Sequence, residues 1–152
     1  MNDILYFKIT NGNETHQGVK YKKGLIEDPL PWDPDTNCSP GGIYFSDKDH
    51  ILEFLNYGIW LREVKIPNDA KVSFGIDKHK ANKVIIGKRW DLRKVETWEY
   101  LVSIGANIHT LNDFPLRWAA MNGHLKIVKY LVENGANIHV HNDFPLRIAA
   151  NN

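Results

Sequence analysis

A single cysteine, Cys38, leaves the chain without an internal disulfide, and that shortage points to a reducing compartment. An excess of charge is missing too. With 19 basic and 18 acidic residues the net charge is +1, so no global field draws the chain to nucleic acid or to a membrane surface. No apolar run approaches the ~20 residues that a membrane-spanning helix needs. The opening MNDILYFKIT lacks a basic start followed by an apolar stretch, so no secretory signal is read either. The expectation is a soluble chain of the cytoplasm. What is present suffices for a core: 43% hydrophobic residues and five tryptophans in 152 residues. That length suits one domain, or a small domain with an appended module.

Sliding the chain against itself gives one strong signal. Residues 101–120 read LVSIGANIHTLNDFPLRWAA and residues 131–150 read LVENGANIHVHNDFPLRIAA, 15 of 20 identical at an offset of 30. A period in this range indicates stacked supersecondary units. Between the matches, Pro115 to Asn122 predicts one short helix, Gly123-His124 a turn, and Leu125 to Asn134 a second helix. Pro115 suits a first helical turn, where its missing N–H is not needed, and Gly135 suits a helix end requiring positive φ. Leu125, Val128, Leu131 and Val132 share one face of the second helix and predict its buried stripe.

The string PLRWAAMNGHLKIVKYLVENGANI resembles the ankyrin repeat, with Pro-Leu-Arg where that family usually has Thr-Pro-Leu-His. The resemblance covers about 60 residues and implies protein binding rather than catalysis. The repeat is 30 residues instead of the usual 33, so the finger between Ile138 and Pro145 is clipped. Arg117 and Arg147 replace the family's histidine and its bonds between repeats. Residues 91–107 align with a second helix whose first helix is missing, and the C-terminal end closes on Ile148, Ala149 and Ala150, just after the first helix of a further unit. Half a repeat, one repeat and half a repeat fall short of the roughly three units that stability requires. The preceding 90 residues are therefore expected to cover the N-terminal end and to share one core with the array. The other end reads as uncapped, which suggests a piece of a longer array or an edge for self-association.

The first 90 residues follow a different grammar. Ile4–Ile9, Ile43–Phe45, Trp60–Ile66, Lys71–Phe74 and Lys83–Ile86 read as strands, and Asp47–Leu55 as the one helix. NGNETHQG and EDPLPWDPDTNCSPGG separate them, and the second reads as a long ordered loop over residues 28–42, a kind more often functional than idle. The expected class is α+β: a small mixed N-terminal domain over residues 1–90, packed against a short all-α repeat array over residues 91–152. Three strings, HQGVKYKKGL at His16–Leu25, CSPGGIYF at Cys38–Phe45 and YGIWLREV at Tyr57–Val64, resemble a domain found ahead of ankyrin arrays in giant DNA viruses of amoebae, of the mimivirus type. That resemblance implies a viral interaction protein of the host cytoplasm and brings no known chemistry.

A weaker resemblance is to the ADP-ribosyltransferases of the poly(ADP-ribose) polymerase type. It rests on His16, Gly24-Leu25 and GIYFSD at Gly42–Asp47. It implies a histidine bonded to the nicotinamide ribose, a tyrosine stacked on nicotinamide, and a late glutamate. His16, Tyr44 and, as a stand-in, Glu63 are the matching cofactor-binding candidates, but Glu63 falls on the strand directly after the helix, where the family has none.

Each candidate also has an ordinary structural role: His16 in a turn, Tyr44 and Phe45 in a core, Glu63 in a surface ion pair. Cys38 shows no fixed partner that would activate a thiol. His109, His139 and His141 lie in finger positions with no acid beside them, so no metal is expected. Lys78 to Lys94 holds seven basic residues, read as a solvated face rather than a nucleic-acid site. The favoured reading has no enzyme activity, no NAD-dependent chemistry and no cofactor. It is a protein-binding module whose surface comprises Thr110, Leu111, Asn112, Val140 and His141 of the fingers, with Arg117, Trp118, Met121 and Arg147 of the first helices. Trp118 is expected to lie partly exposed, because Ile148 takes its place one repeat later. The alternative is an ADP-ribosyltransferase-like or nucleotide-binding domain carried by ankyrin repeats.

Overall fold

The computed structural model describes residues 4–16 and 18–137, which fall into two compact units. One comprises Met1–Asp47 and Asn56–Trp90, the other Lys48–Leu55 and Asp91–Asn152. The class is mixed α/β. The strands are β1 (Tyr6–Thr10), β2 (Thr15–His16), β3 (Val19–Lys20), β4 (Gly24–Glu27), β5 (Ile43–Phe45), β6 (Trp60–Lys65), β7 (Val72–Phe74), β8 (His79–Ala81) and β9 (Lys83–Asp91).

Four of them form a sheet in the order β1-β6-β9-β4, and three form another in the order β5-β8-β7. Tyr6 lies opposite Val64, and Ile26 opposite Val84, in antiparallel pairs. In the smaller sheet Ile43 and Val72 both face Ala81. Alternate positions on each strand point the same way, and they bury Tyr6, Ile26, Phe45, Val64, Val84 and Ile86 in one cluster. The five expected strands are all present. The others had no apolar alternation to reveal them: β8 reads His-Lys-Ala, yet all three residues are buried. The expected helix at Asp47–Leu55 is instead a 3-10 helix at Ile51–Tyr57, kinked at Phe54 (φ −107°, ψ 20°).

In the second unit the helices are α1 (Val95–Ser103), α2 (Thr110–Met121) and α3 (Leu125–Glu133). Leu92, Trp98, Leu101, Leu116, Ile127 and Leu131 are closed off from solvent. The stripe expected on α3 is rotated: Ile127 and Leu131 are buried, while Leu125 stands 46% exposed at the first turn. Consecutive repeats end alike. Gly105 and Gly135 take φ of 78° and 94°, a region that penalises any Cβ. The N–H of Ala106 reaches Leu101 O at 2.9 Å, as that of Ala136 reaches Leu131 O at 3.0 Å.

Residues 48–55 occupy the place of the missing first helix. Ile51, Leu52 and Leu55 are 1–2% exposed. The Asn107 N–H donates to Lys48 O at 3.1 Å, and the Lys48 ammonium donates to Ile104 O at 3.2 Å. One repeat later the Asn137 N–H donates to Asp113 Oδ2 at 3.0 Å. A backbone carbonyl thus does for the first repeat what an aspartate side chain does for the second.

Candidate functional site

The finger begins with three residues in the left-handed region, Leu111, Asn112 and Asp113, at φ 52°, 55° and 58°. For residues with a Cβ this costs roughly 1–2 kcal/mol each, so surrounding contacts must hold it. Asp113 is 8% exposed. Its Oδ1 lies 2.5 Å from His109 Nδ1, and its Oδ2 accepts from Asn137. Arg117 closes the turn, donating through Nη2 to Leu111 O at 2.6 Å with its guanidinium over the Phe114 ring. The clipped finger is thereby a rigid knuckle. Arg117 stays within its own repeat, and Asp113 makes the bond between repeats. From sequence no acid is expected beside His109. Asp113, four residues on, is that acid.

This knuckle presents Leu111, 54% exposed, and Asn112, and the far end of α2 presents Met121, 59% exposed. Arg117 is half-buried. Two expected surface residues are not on the surface. Thr110 is 7% and Trp118 6% exposed. Trp118 lies against Trp98 of α1 (centroids 5.9 Å apart) and His124 (5.3 Å), so it is a core residue of the stack. The different residue at the equivalent position one repeat on, Ile148, is a poor guide, because α1 supplies a tryptophan for Trp118 to meet. Val140, His141, Arg147 and His139 lie outside the described residues. Leu125, expected in the core, joins Met121 as exposed apolar surface flanking the turn at 122–124.

The three residues of the nicotinamide reading sit on separate elements. His16 is exposed on β2. The Tyr44 hydroxyl, on β5, donates to Ser39 O at 3.1 Å and Asp35 O at 3.3 Å. Glu63, on β6, accepts from Trp90 Nε1 at 2.9 Å. Among the described residues no hydrogen bond, ion pair or ring contact joins any two of the three.

Two of the three strings singled out in the sequence are explained by packing. Lys80 is fully buried, and its ammonium donates to Asp35 O (2.9 Å), Ser39 Oγ (3.1 Å) and Pro40 O (3.1 Å). A Cβ on Gly42 would come within 2.7 Å of the Lys80 stem, and one on Gly41 within 2.2 Å of Pro31 O. The CSPGG string is therefore the cradle that lets this lysine pin the loop at 28–42. In YGIWLREV, a Cβ on Gly58 would meet Thr10 O at 2.0 Å, and Trp60 Nε1 donates to Gly12 O. Arg62 grips Glu14 with two bonds, 2.8 and 2.9 Å. Burial alone would raise the Glu14 carboxyl, but bonds from Arg62, Thr10 and Arg89 outweigh it and hold the group below its ordinary value.

The basic stretch is not one solvated face. Lys80 is inside, Lys83 pairs with Asp69, Arg93 with Asp91, and the Lys78 ammonium lies 2.6 Å from Cys38 Sγ. The sulfur raises Lys78 above the ordinary lysine value. Cys38 therefore has the partner that sequence could not show.

Residues 91–152 match the family described as Ankyrin repeats (3 copies). The chain is similar to two proteins named as ankyrin repeat proteins of Acanthamoeba polyphaga mimivirus. One is 43% identical over 133 residues, 82% of this chain and 65% of that protein. The other is 39% identical over 143 residues, 84% and 47%. A third protein of the same virus, bearing no functional name, is 40% identical over 130 residues, 82% of this chain and 94% of its own length. The chain thus spans about two thirds and about half of the first two relatives. No solved structure matches it. With the repeat signature in the second unit and likeness that runs on through the first, the chain belongs to the ankyrin-repeat proteins of the mimivirus type.

Proposed function

We propose that the chain is a non-catalytic adaptor that binds a host protein in the amoebal cytoplasm through its repeat face. The carrying observation is the knuckle at 111–113, which spends backbone strain and two side-chain locks on holding Leu111 and Asn112 outward. A preorganised apolar tip loses little entropy on binding, and stacked repeats offer extended faces for partners. Leu111 and Met121 are the apolar anchors, with Asn112 and Arg117 supplying polar specificity. Tyr44 and Glu63 are engaged by their own unit, which supports a structural role for both. Among the described residues no helix is long and apolar enough to cross a membrane.

The test pairs capture with calorimetry. Tagged wild-type chain captures its partner from amoebal lysate, and the purified pair is then titrated against Leu111→Asp/Met121→Asp. Affinity should fall by at least about tenfold while the melting temperature holds. A partner bound equally well by that variant would overturn the assignment of the face.

A further inference from the structure

One end of the four-stranded sheet gathers cations that its own acids do not neutralise. Lys20, Lys22 and Lys23 are exposed, and none forms an ion pair among the described residues. Lys22 and Lys23 run directly into Gly24, which lies opposite Ile86, so they enter at the end of β9 that carries Lys88 and Arg89. Tyr21, between the lysines, donates its N–H to Glu14 O at 2.8 Å, and Arg89 Nη1 reaches Glu14 Oε1 at 3.1 Å. Glu14 is the acid at the centre, but it is shared by two guanidiniums and the Thr10 hydroxyl. Glu63 is committed to the Trp90 indole.

We propose that Lys20, Lys22, Lys23, Lys88 and Arg89 form a docking surface for an acidic protein segment, separate from the repeat face. Two features favour a carboxylate-rich partner. The Arg89 guanidinium and the Lys88 ammonium each lie 3.8 Å from the centroid of a tryptophan ring, Trp60 and Trp90 respectively. Such stacking fixes the charged heads before a partner arrives. It also covers the ring faces on which the bases of a single strand would stack, and Tyr21 is only 4% exposed. What remains is a set of donors without an aromatic platform, drawn from β3, from the two residues that lead into β4 and from β9. A short run of Glu and Asp matches that charge.

Labelled octaglutamate titrated into the full chain tests this by fluorescence anisotropy. Binding should weaken by at least about tenfold in Lys20→Glu/Lys22→Glu/Lys23→Glu. It should also vanish at about 1 M salt, where the screening length falls to ~3 Å. Leu111→Asp/Met121→Asp, in the repeat unit, should leave it unchanged, so failure here is distinguishable from failure of the adaptor reading. Among the described residues the three lysine side chains have no ion-pair partners to lose, so the triple variant should melt as wild type does. If it does not, Lys22→Ala/Lys23→Ala decides, with a smaller loss expected. The proposal is overturned if octaglutamate fails to bind, if the lysine variants bind like wild type, or if oligothymidylate binds more tightly than octaglutamate.

Discussion

Cutting Leu52 back to alanine tests whether residues 48–55 are a working part of the repeat unit. The side chain is 1% exposed, and a buried Leu→Ala change costs about 2–5 kcal/mol through lost transfer energy and the cavity left behind. At ~2–4 °C per kcal/mol for a chain of this size, a loss near the middle of that range lowers the melting temperature by about 7–14 °C. The loss should register in the repeats, as faster exchange of the amides that close α1, those of Gly105 and Ala106. Leu30→Ala, at a site 45% exposed, serves as the control and should leave the melt where it is. Residues 91–152 alone extend the same reasoning. That fragment loses the Lys48 carbonyl and the burial of Ile51, Leu52 and Leu55, roughly 1.5–3 kcal/mol apiece. Their sum rivals the whole stability of a small domain, ~5–15 kcal/mol, so the fragment should be poorly folded. A Leu52→Ala chain that melts like wild type, or a fragment with native helicity and a sharp cooperative melt, refutes the reasoning.

Three further outcomes follow from side-chain environments. Trp118→Ala should cost about 3–5 kcal/mol of stability in denaturant unfolding, because it empties a core site against Trp98. Unchanged stability with weakened partner binding would return Trp118 to the surface role first expected of it. Glu14→Gln should cost about 3–5 kcal/mol at neutral pH by leaving Arg62 unpaired. It should also flatten the acid limb: the folded-state pKa is depressed, so the stabilisation is complete above the unfolded value near ~4.3 and is lost as pH falls through the folded one. Urea midpoints from about pH 6 downward should therefore drop more steeply for wild type than for the variant. Lys8 is half-buried, its ammonium donates to Tyr44 O at 2.7 Å, and burial lowers its pKa to about 8. The unfolded chain holds that proton up to ~10.4, so stability should rise between about pH 8 and pH 10, and Lys8→Met should abolish the rise.

The repeats were legible because helical repetition is written locally. An exact offset of 30, Pro115 at a first turn and Gly135 at a helix end each declare themselves without a distant partner. The finger was not legible. A three-residue left-handed turn at Leu-Asn-Asp depends on Asp113 meeting His109 and an amide one repeat away, which no pattern of hydrophobicity encodes. In the first unit the five apolar strands announced themselves. β8 did not, because Lys80 looks like a surface residue until the loop that wraps its ammonium is seen. The three strings stand out in the sequence as marks of a family that bring no known chemistry, and in two of them Gly41, Gly42 and Gly58 mark close backbone approaches. Trp118 was misplaced by comparing it with its counterpart at 148 instead of asking what α1 would put opposite it.

The carbonyl of Lys48 that receives Asn107 has a kinetic consequence. Linear repeat arrays fold through contacts between sequence neighbours, and each unit can serve as a starting point. Here the first unit is completed by residues that leave the array after Leu55 and return to it at Asp91, so its closure waits on a loop of 35 residues. Closing such a loop costs conformational entropy before any contact rewards it, and raising the mean separation of contacts slows folding. The repeat that completes early should be the one built from α2 and α3, whose partners lie within a single repeat length. The N-terminal half-repeat should assemble last. During synthesis its cover leaves the ribosome well before the helix it must meet, and the order of emergence is the reverse of the order of use.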